Sequence, residues 1–306
     1  MNTVVIGAVF LDIKGFPFSK YDAVGTNLGN VVLSHGGVAR NVAENMAHLS
    51  GRSTFVTMLD QDALGSAVRA RLESSEVELT HAVEVPEQGM GMWLAVFNER
   101  NDLAGSISRM PNPKPLEAYF EKHGDEIVKN ARDIVLEMDL SEPISEKVIA
   151  LAEKYQKPVY AIVANMSVIL QRPDLLARTS CVILNEIEAG RLFGEDLRTL
   201  EPDEMLIRVK ENAQAMKLRA MIVTMGAKGA VYADFESGER GVCPAVPTVV
   251  VDTTGAGDSF FSAVVEALAR GMTLKNAVEC GSRLASRTIA VSESVCPRVE
   301  EGFFDR

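Results

Sequence analysis

Short apolar, β-branched runs alternate with amphipathic helical patterns along most of this chain. That arrangement is expected where helices cover both faces of a largely parallel sheet. The periodicity predicts strands over Thr3–Phe10, Thr54–Leu59, Asp133–Met138, Val159–Val163, Cys181–Leu184, Ala220–Met225 and Thr248–Val251. Between them Val42, Met46 and Leu49 share one helical face, and Leu64, Val68 and Leu72 share another. Gly51 is positioned to close the first of these helices as a left-handed cap. The whole pattern is that of an α/β sandwich.

Two stretches break the alternation. Lys14 to Ser34 and Thr80 to Ser108 read as strands with no helix between them. In the second, Met92–Phe97, a polar turn over residues 98–102, and Ala104–Ser108 predict a hairpin. An antiparallel flap on one edge of the main sheet explains both stretches, and the proline-rich segment Met110 to Pro115 acts as a stiff return. The expected division is therefore a main α/β domain over residues 1–13, 36–79 and 111–306, with residues 14–35 and 80–110 inserted as a β lid.

Composition narrows the function. With 306 residues, 47% of them hydrophobic, the chain can bury one large core. No apolar run approaches the roughly 20 residues that span a bilayer, and Val4–Leu11 lacks the flanks of a signal peptide, so a cytoplasmic location is expected. A net charge of −11 argues against nucleic acid or an anionic membrane as partner. Cys181, Cys243, Cys280 and Cys296 form no C-x-x-C pair and read as buried free thiols. The four histidines include no H-E-x-x-H pair, which leaves little for a metallohydrolase.

The strongest chemical signal runs from Val251 to Phe261, VDTTGAGDSFF. A β-branched run enters two closely spaced glycines, and Phe260, Phe261, Val264, Val265 and Leu268 then repeat as one helical face. The amides of Gly255, Ala256 and Gly257 at such a helix start can hold an anion. Asp258, in the first turn, can take a proton from an attacking hydroxyl while those amides and Mg²⁺ neutralise a phosphoryl group in transfer. The plainer alternative is that Asp258 or Ser259 merely caps the helix.

Asp252-Thr-Thr-Gly-Ala-Gly-Asp258 resembles the C-terminal signature of the PfkB/ribokinase family of carbohydrate kinases. Three further strings resemble family elements in the family's order. His35-Gly-Gly-Val-Ala-Arg-Asn-Val-Ala43 is similar to the first signature, implying that Gly36, Gly37 and Asn41 hold sugar hydroxyls together with Asp12. Asn185-Glu-Ile-Glu188 resembles the N-x-x-E element, implying that Asn185 and Glu188 organise Mg²⁺, partly through water. Thr224-Met-Gly-Ala-Lys-Gly229 resembles the nucleotide loop, implying that Thr224, Gly226 and Gly229 lie near the phosphates and ribose of ATP. Asp252 matches a position where many relatives bind potassium. Read from the residues alone, Asn41 can be an ordinary helix cap, the N-x-x-E string a helix N-terminus rich in acids, and Thr224–Gly229 a plain turn between strands.

The resemblance implies a ribokinase-like three-layer sandwich with a mostly parallel central sheet and a small β-strand lid. It also implies an ATP- and Mg²⁺-dependent transfer of the γ-phosphate to a primary hydroxyl of a sugar or nucleoside, and a homodimer paired through the lids. Within the family, Phe10–Gly15, Gly25–Asn30, Gly36–Asn41 and Ser292–Pro297 look most like the pseudouridine kinases, which act on a nucleoside 5′-hydroxyl, and Arg40 beside Asn41 is part of that likeness. Residues 161–166 lack the D-P that many relatives carry after the corresponding strand. Arg40 can alternatively meet the phosphate of a sugar phosphate, as in a phosphofructokinase-like member. Trp93, the only tryptophan, can stack on a base or pack within the flap. A non-catalytic ligand sensor on the same fold is the alternative outside enzymes.

Overall fold

The run Thr3–Phe10 divides at Gly7 in the computed structural model, which describes residues 2–305. β1 (Val4–Ile6) lies in the central sheet, whereas β2 (Phe10–Pro17) belongs to a second sheet. A Cβ at residue 7 would stand 2.3 Å from the Cβ of Ala39, so the close approach of the following helix requires glycine. The next amide, of Ala8, donates to the Glu137 carboxylate at 2.8 Å rather than to a neighbouring strand. The chain thus leaves the central sheet here, and Asp12 lies on the second sheet.

β3 (Gly29–Gly36) folds back on β2, and α1 (Val38–Ser50) ends at Gly51 with φ 83°, the predicted left-handed cap. The predicted strand Thr54–Leu59 is also divided, into β4 (Ser53–Val56) and β5 (Met58–Asp60). After α2 (Ala63–Ser74), β6 (Val77–Glu78) and β7 (Val83–Val85), the hairpin of β8 (Gly91–Phe97) and β9 (Leu103–Arg109) forms as its sequence predicts. Helices and strands then alternate through α3 (Lys114–Asn130), β10 (Ile134–Glu137), α4 (Glu142–Tyr155), β11 (Val159–Ile162), β12 (Cys181–Asn185), α5 (Glu186–Phe193), α6 (Pro202–Ala215) and β13 (Ala220–Thr224). β14 (Ala230–Asp234) and β15 (Arg240–Cys243) are antiparallel additions at one edge, followed by α7 (Ala256–Ala269) and α8 (Leu274–Thr288).

The central sheet has nine strands in the order β15-β14-β13-β12-β11-β10-β1-β4-β6. Period-two alternation sorts its side chains into two cores. Val5, Val135 and Ile222 pack under α1, α7 and α8, whereas Val4, Ile6, Ile134, Leu136 and Val223 pack under α3, α4 and α6. The result is a three-layer sandwich with the second sheet, β3-β2-β8-β9, at its side. The predicted strand Thr248–Val251 does not form. β15 already occupies the sheet edge, and Val249, Val250 and Val251 stay exposed on an extended arm leading to α7. No helix among the described residues is long and apolar enough to cross a membrane, and all four cysteines are buried and free.

Candidate active site

The extended arm delivers the chain to Gly255, the N-cap of α7, at φ 77°. A Cβ there would stand 1.9 Å from the Ser294 carbonyl oxygen, so glycine permits both the left-handed turn and the close crossing of the segment after α8. No side chain caps this helix; Ser259 Oγ donates instead to the Ala256 carbonyl at 3.0 Å. The Ala256 amide donates weakly, at 3.3 Å, to the Thr253 carbonyl. The amides of Gly255 and Gly257 have no acceptor among the described residues, so these two of the predicted trio are unpaired donors.

Asp258 does not cap α7. Its Oδ2 accepts from Asn41 Nδ2 at 2.6 Å, which joins the start of α7 to the start of α1. Burial pushes the carboxyl up to about 6, against the opposing effects of the Asn41 hydrogen bond and the Arg40 charge. A carboxylate in that range is ionised at neutral pH and basic enough to take a proton from a hydroxyl as it attacks. Asn41 likewise does not cap α1, whose N-cap is Gly37 at φ 97°. Its Oδ1 faces Ser294 Oγ at 3.4 Å.

A cavity of about 360 Å³ opens beside this pair, lined by Asp12, Lys14, Gly36, Gly37 and Asn41 among others. Its size is within the range of small-molecule sites. Burial raises the Asp12 carboxyl, with Lys14 and Arg40 opposing. Arg40 also lines the cavity, but its guanidinium faces internal acceptors: the carbonyls of His35 and Gly36, and Glu44 at 2.7 Å. It is 2% exposed, and so it braces the glycine loop that carries Asn41. Trp93 pairs in register with Asp12 and shares its face of the second sheet.

For the N-x-x-E and Thr224–Gly229 elements, register does the positioning. Asn185 at the end of β12 is paired with Thr224 at the end of β13, which sets two of the predicted elements side by side. Asn185 and Glu188 form a capping box: Asn185 Oδ1 accepts from the Ile187 and Glu188 amides, and Glu188 Oε2 accepts from the Asn185 amide at 2.9 Å. Burial raises the Glu188 carboxyl. Gly229, at φ 93°, would bring a Cβ within 2.1 Å of the Cys243 carbonyl oxygen. Gly226 is also left-handed, at φ 55°, and Lys228 turns away to Glu201 and the Leu200 carbonyl. Asp252 lines the cavity and accepts from the Thr254 amide at 2.8 Å, the main cause of its lowered pKa.

Among the described residues no three His, Cys, Asp or Glu side chains converge on a metal position. The oxygen donors present fit Mg²⁺, which needs few protein ligands and keeps its waters when phosphates supply the rest. Glu188, with one oxygen in the capping box, is the acid available for it.

A family model described as "pfkB family carbohydrate kinase" matches residues 2–297. The chain belongs to this family. It is 34% identical to the guanosine-inosine kinase of Exiguobacterium acetylicum over 96% of each protein. To the pseudouridine kinase of Escherichia coli it is 24% identical, over 94% of this chain and 90% of that one. The structure of Arabidopsis thaliana ribokinase complexed with ribose and ATP superposes with a TM-score of 0.82 at 23% identity, covering 97% of this chain and 96% of that one. The fold is therefore the ribokinase fold, and this PfkB-family chain is a phosphotransferase acting on a hydroxyl group of a sugar or nucleoside. Lys14, Glu293 and Ser294, which the sequence offers only within the strings Phe10–Gly15 and Ser292–Pro297, and Arg71, which no motif singles out, also line the cavity. No local signal marks Arg71, because Glu44 on the buried face of α1 already has Arg40 four residues earlier as a cationic partner, and Arg71 joins it from α2 as a second one.

Proposed function

We propose that this PfkB-family protein transfers the γ-phosphate of ATP to the 5′-hydroxyl of a nucleoside, of the guanosine or inosine kind. The observation that carries the proposal is the hydrogen bond from Asn41, which lines the cavity together with Asp12, to the buried Asp258. Asp12 and Asn41 orient the sugar, and the 5′-hydroxyl gives its proton to Asp258 as its oxygen bonds to the γ-phosphorus and ADP departs. The Gly255 and Gly257 amides take the charge gathering on the phosphoryl oxygens. Asn185 and Glu188 would hold Mg²⁺, partly through water, and the ion would supply neutralisation of the phosphate charge. Thr224, Gly226 and Gly229 line the nucleotide's path, and Asp252 is the candidate for a potassium site, tested by replacing potassium with sodium in the assay.

The nucleoside acceptor is supported by the 34% identity to a guanosine-inosine kinase. Pseudouridine is the second reading, supported by the 24% identity to a pseudouridine kinase and by the Gly36–Asn41 string. A sugar-phosphate acceptor has less support, because the Arg40 guanidinium is engaged inside the protein. The deciding assay is ADP release from ATP and Mg²⁺ against guanosine, inosine, pseudouridine, uridine, adenosine, ribose and fructose 6-phosphate. Turnover of ribose or fructose 6-phosphate alone would overturn the nucleoside assignment, and silence with every acceptor would favour a sensor.

The same proposal includes a homodimer through the second sheet. Leu33, Ile13, Leu94 and Ile107 lie in one register row, on the face opposite Asp12 and Trp93. Leu33, Leu94 and Ile107 are exposed, as is Val31 on the neighbouring row. A contiguous apolar face of this kind is expected to be covered by a second copy.

A further inference from the structure

The lining of the cavity is not confined to the residues proposed to hold the sugar. Its wall also carries Arg71 from α2 and Glu293 from the segment after α8. Neither has a part in the transfer chemistry above. Arg71 Nη2 donates to Glu293 Oε2 at 3.3 Å, long for a bond between charged groups, and the Glu293 side chain is 64% exposed. From behind, Arg71 is anchored firmly. Its Nε donates at 2.6 Å to Glu44, a fully buried carboxylate that also accepts from Arg40 and from Ser75. Nη1 of Arg71 has no acceptor among the described residues. One edge of the guanidinium is thus fixed, and the contact with Glu293 is loose.

A guanidinium beside a carboxylate sets donors next to acceptors. The complementary ligand edge is a carbonyl oxygen next to an N–H. Guanine and hypoxanthine have that edge at O6 and N1, and uracil has it at O4 and N3. Adenine and cytosine carry an amine beside an unprotonated ring nitrogen, the reverse pattern. We infer that Arg71 and Glu293 form the base-reading end of the cavity and select nucleobases with an oxo group: Arg71 donates to the carbonyl oxygen and Glu293 accepts from the adjacent N–H. The inference rests on the nucleoside reading above and adds the determinant of base choice. Adenine would set its amine against the guanidinium and its ring nitrogen against the carboxylate, like against like. Guanine's 2-amino group gives Glu293 a second donor, so guanosine is held at least as well as inosine.

The test compares inosine with adenosine, which differ only at this edge, by kcat/KM in wild type, Glu293→Gln and Glu293→Ala. Glu293 is exposed and its side chain bonds only to Arg71 among the described residues, so unchanged melting temperatures are expected and serve as the folding control. Wild type is expected to prefer inosine by about tenfold or more, the scale of one well-formed two-bond base contact. Both variants are expected to lose most of that ratio, through a lower value for inosine and an equal or higher one for adenosine. Ribose turnover should be unaffected by either change. Nucleoside turnover with the same inosine-to-adenosine ratio in all three proteins would overturn the base-reading role while leaving the nucleoside kinase intact. A wild type that phosphorylates ribose and no nucleoside would overturn the nucleoside reading itself, and the base-reading role with it.

Discussion

Asn41 Nδ2 donates to Asp258 Oδ2 at 2.6 Å, joining residues 217 positions apart in sequence at the N-termini of two helices. The contact does two things to the carboxylate. It fixes the orientation of the carboxylate, and it stabilises the ionised form against the burial that raises the pKa to about 6. Asp258→Asn keeps the shape and removes the base. It is expected to lower kcat by roughly 10²–10⁴-fold, the usual contribution of a positioned base, with ADP affinity by calorimetry nearly unchanged. Full turnover in this variant would remove Asp258 from the reaction.

The same pair predicts a pH profile. Because Asp258 must be ionised to accept a proton, kcat/KM is expected to fall about tenfold per unit below pH 6. Asn41→Ala removes a hydrogen bond to the charged form, so the carboxyl becomes harder to ionise and the acid limb moves to higher pH. A hydrogen bond to a charged group is worth roughly 1.5–3 kcal/mol, which is about one to two pH units. The midpoint of the profile tests the idea, since loss of sugar contacts alone would lower its height and leave the midpoint in place.

Two left-handed glycines separate backbone strain from crowding. Gly194, at φ 72°, has nothing within 4 Å of an added Cβ, whereas Gly229, at φ 93°, would press a Cβ to 2.1 Å from the Cys243 carbonyl oxygen. Gly194→Ala is expected to cost about 1–2 kcal/mol, the backbone penalty alone. Gly229→Ala carries that penalty and must also displace the end of β15 and the Pro244–Ala245 segment that follows it, so its melting temperature falls further and its KM for ATP rises. Equal melting temperatures for the two variants would show that the loop yields without resistance.

These contrasts also show what was legible in the sequence. The Gly255–Asp258 turn was legible because glycine, helix start and acid are local features, and the two cores were legible because strand alternation sorts Val5 from Val4 and Ile6. Thr248–Val251 misled because β-branched residues favour a strand only where a partner edge is free, and β15 already holds that edge. The break at Gly7 was hidden because its cause is Ala39 and Glu137, contacts that no local window contains. Arg71 was missed for the same reason, since it joins the cavity from α2 through a buried acid on α1, and Glu293, though inside the Ser292–Pro297 string, carries no local sign of the arginine it meets.

The homodimer of the proposed function has a direct test. Ile107 is 70% exposed at the edge strand of the second sheet, in the apolar row with Leu33 and Leu94. Ile107→Lys places a charge in that row without touching the face that carries Asp12. The expected result is a halved mass by light scattering, with a retained melting transition. A wild type that is monomeric at micromolar concentration would overturn the dimer.

Glu137 carries the last prediction. It ends β10, is 3% exposed, and has the Ala8 amide as its hydrogen-bond donor. Burial raises it to about 7; the Ala8 amide opposes the rise, and the charges of Asp139 and Asp258 add to it. An acid whose folded pKa exceeds its unfolded value of 4.5 binds its proton more tightly in the fold. The ionised form therefore opposes folding: the cost is absent below the unfolded value, grows as pH rises through 4.5 to 7, and is constant above. Glu137→Gln keeps an acceptor for the Ala8 amide and cannot ionise. It is expected to stabilise the protein at pH 8 by on the order of 1–3 kcal/mol, seen as a higher melting temperature, and to lose that advantage as pH falls toward 4.5. A variant less stable than wild type at pH 8 would mean that the carboxylate is needed in its charged form, and the burial argument for Glu137 would fail.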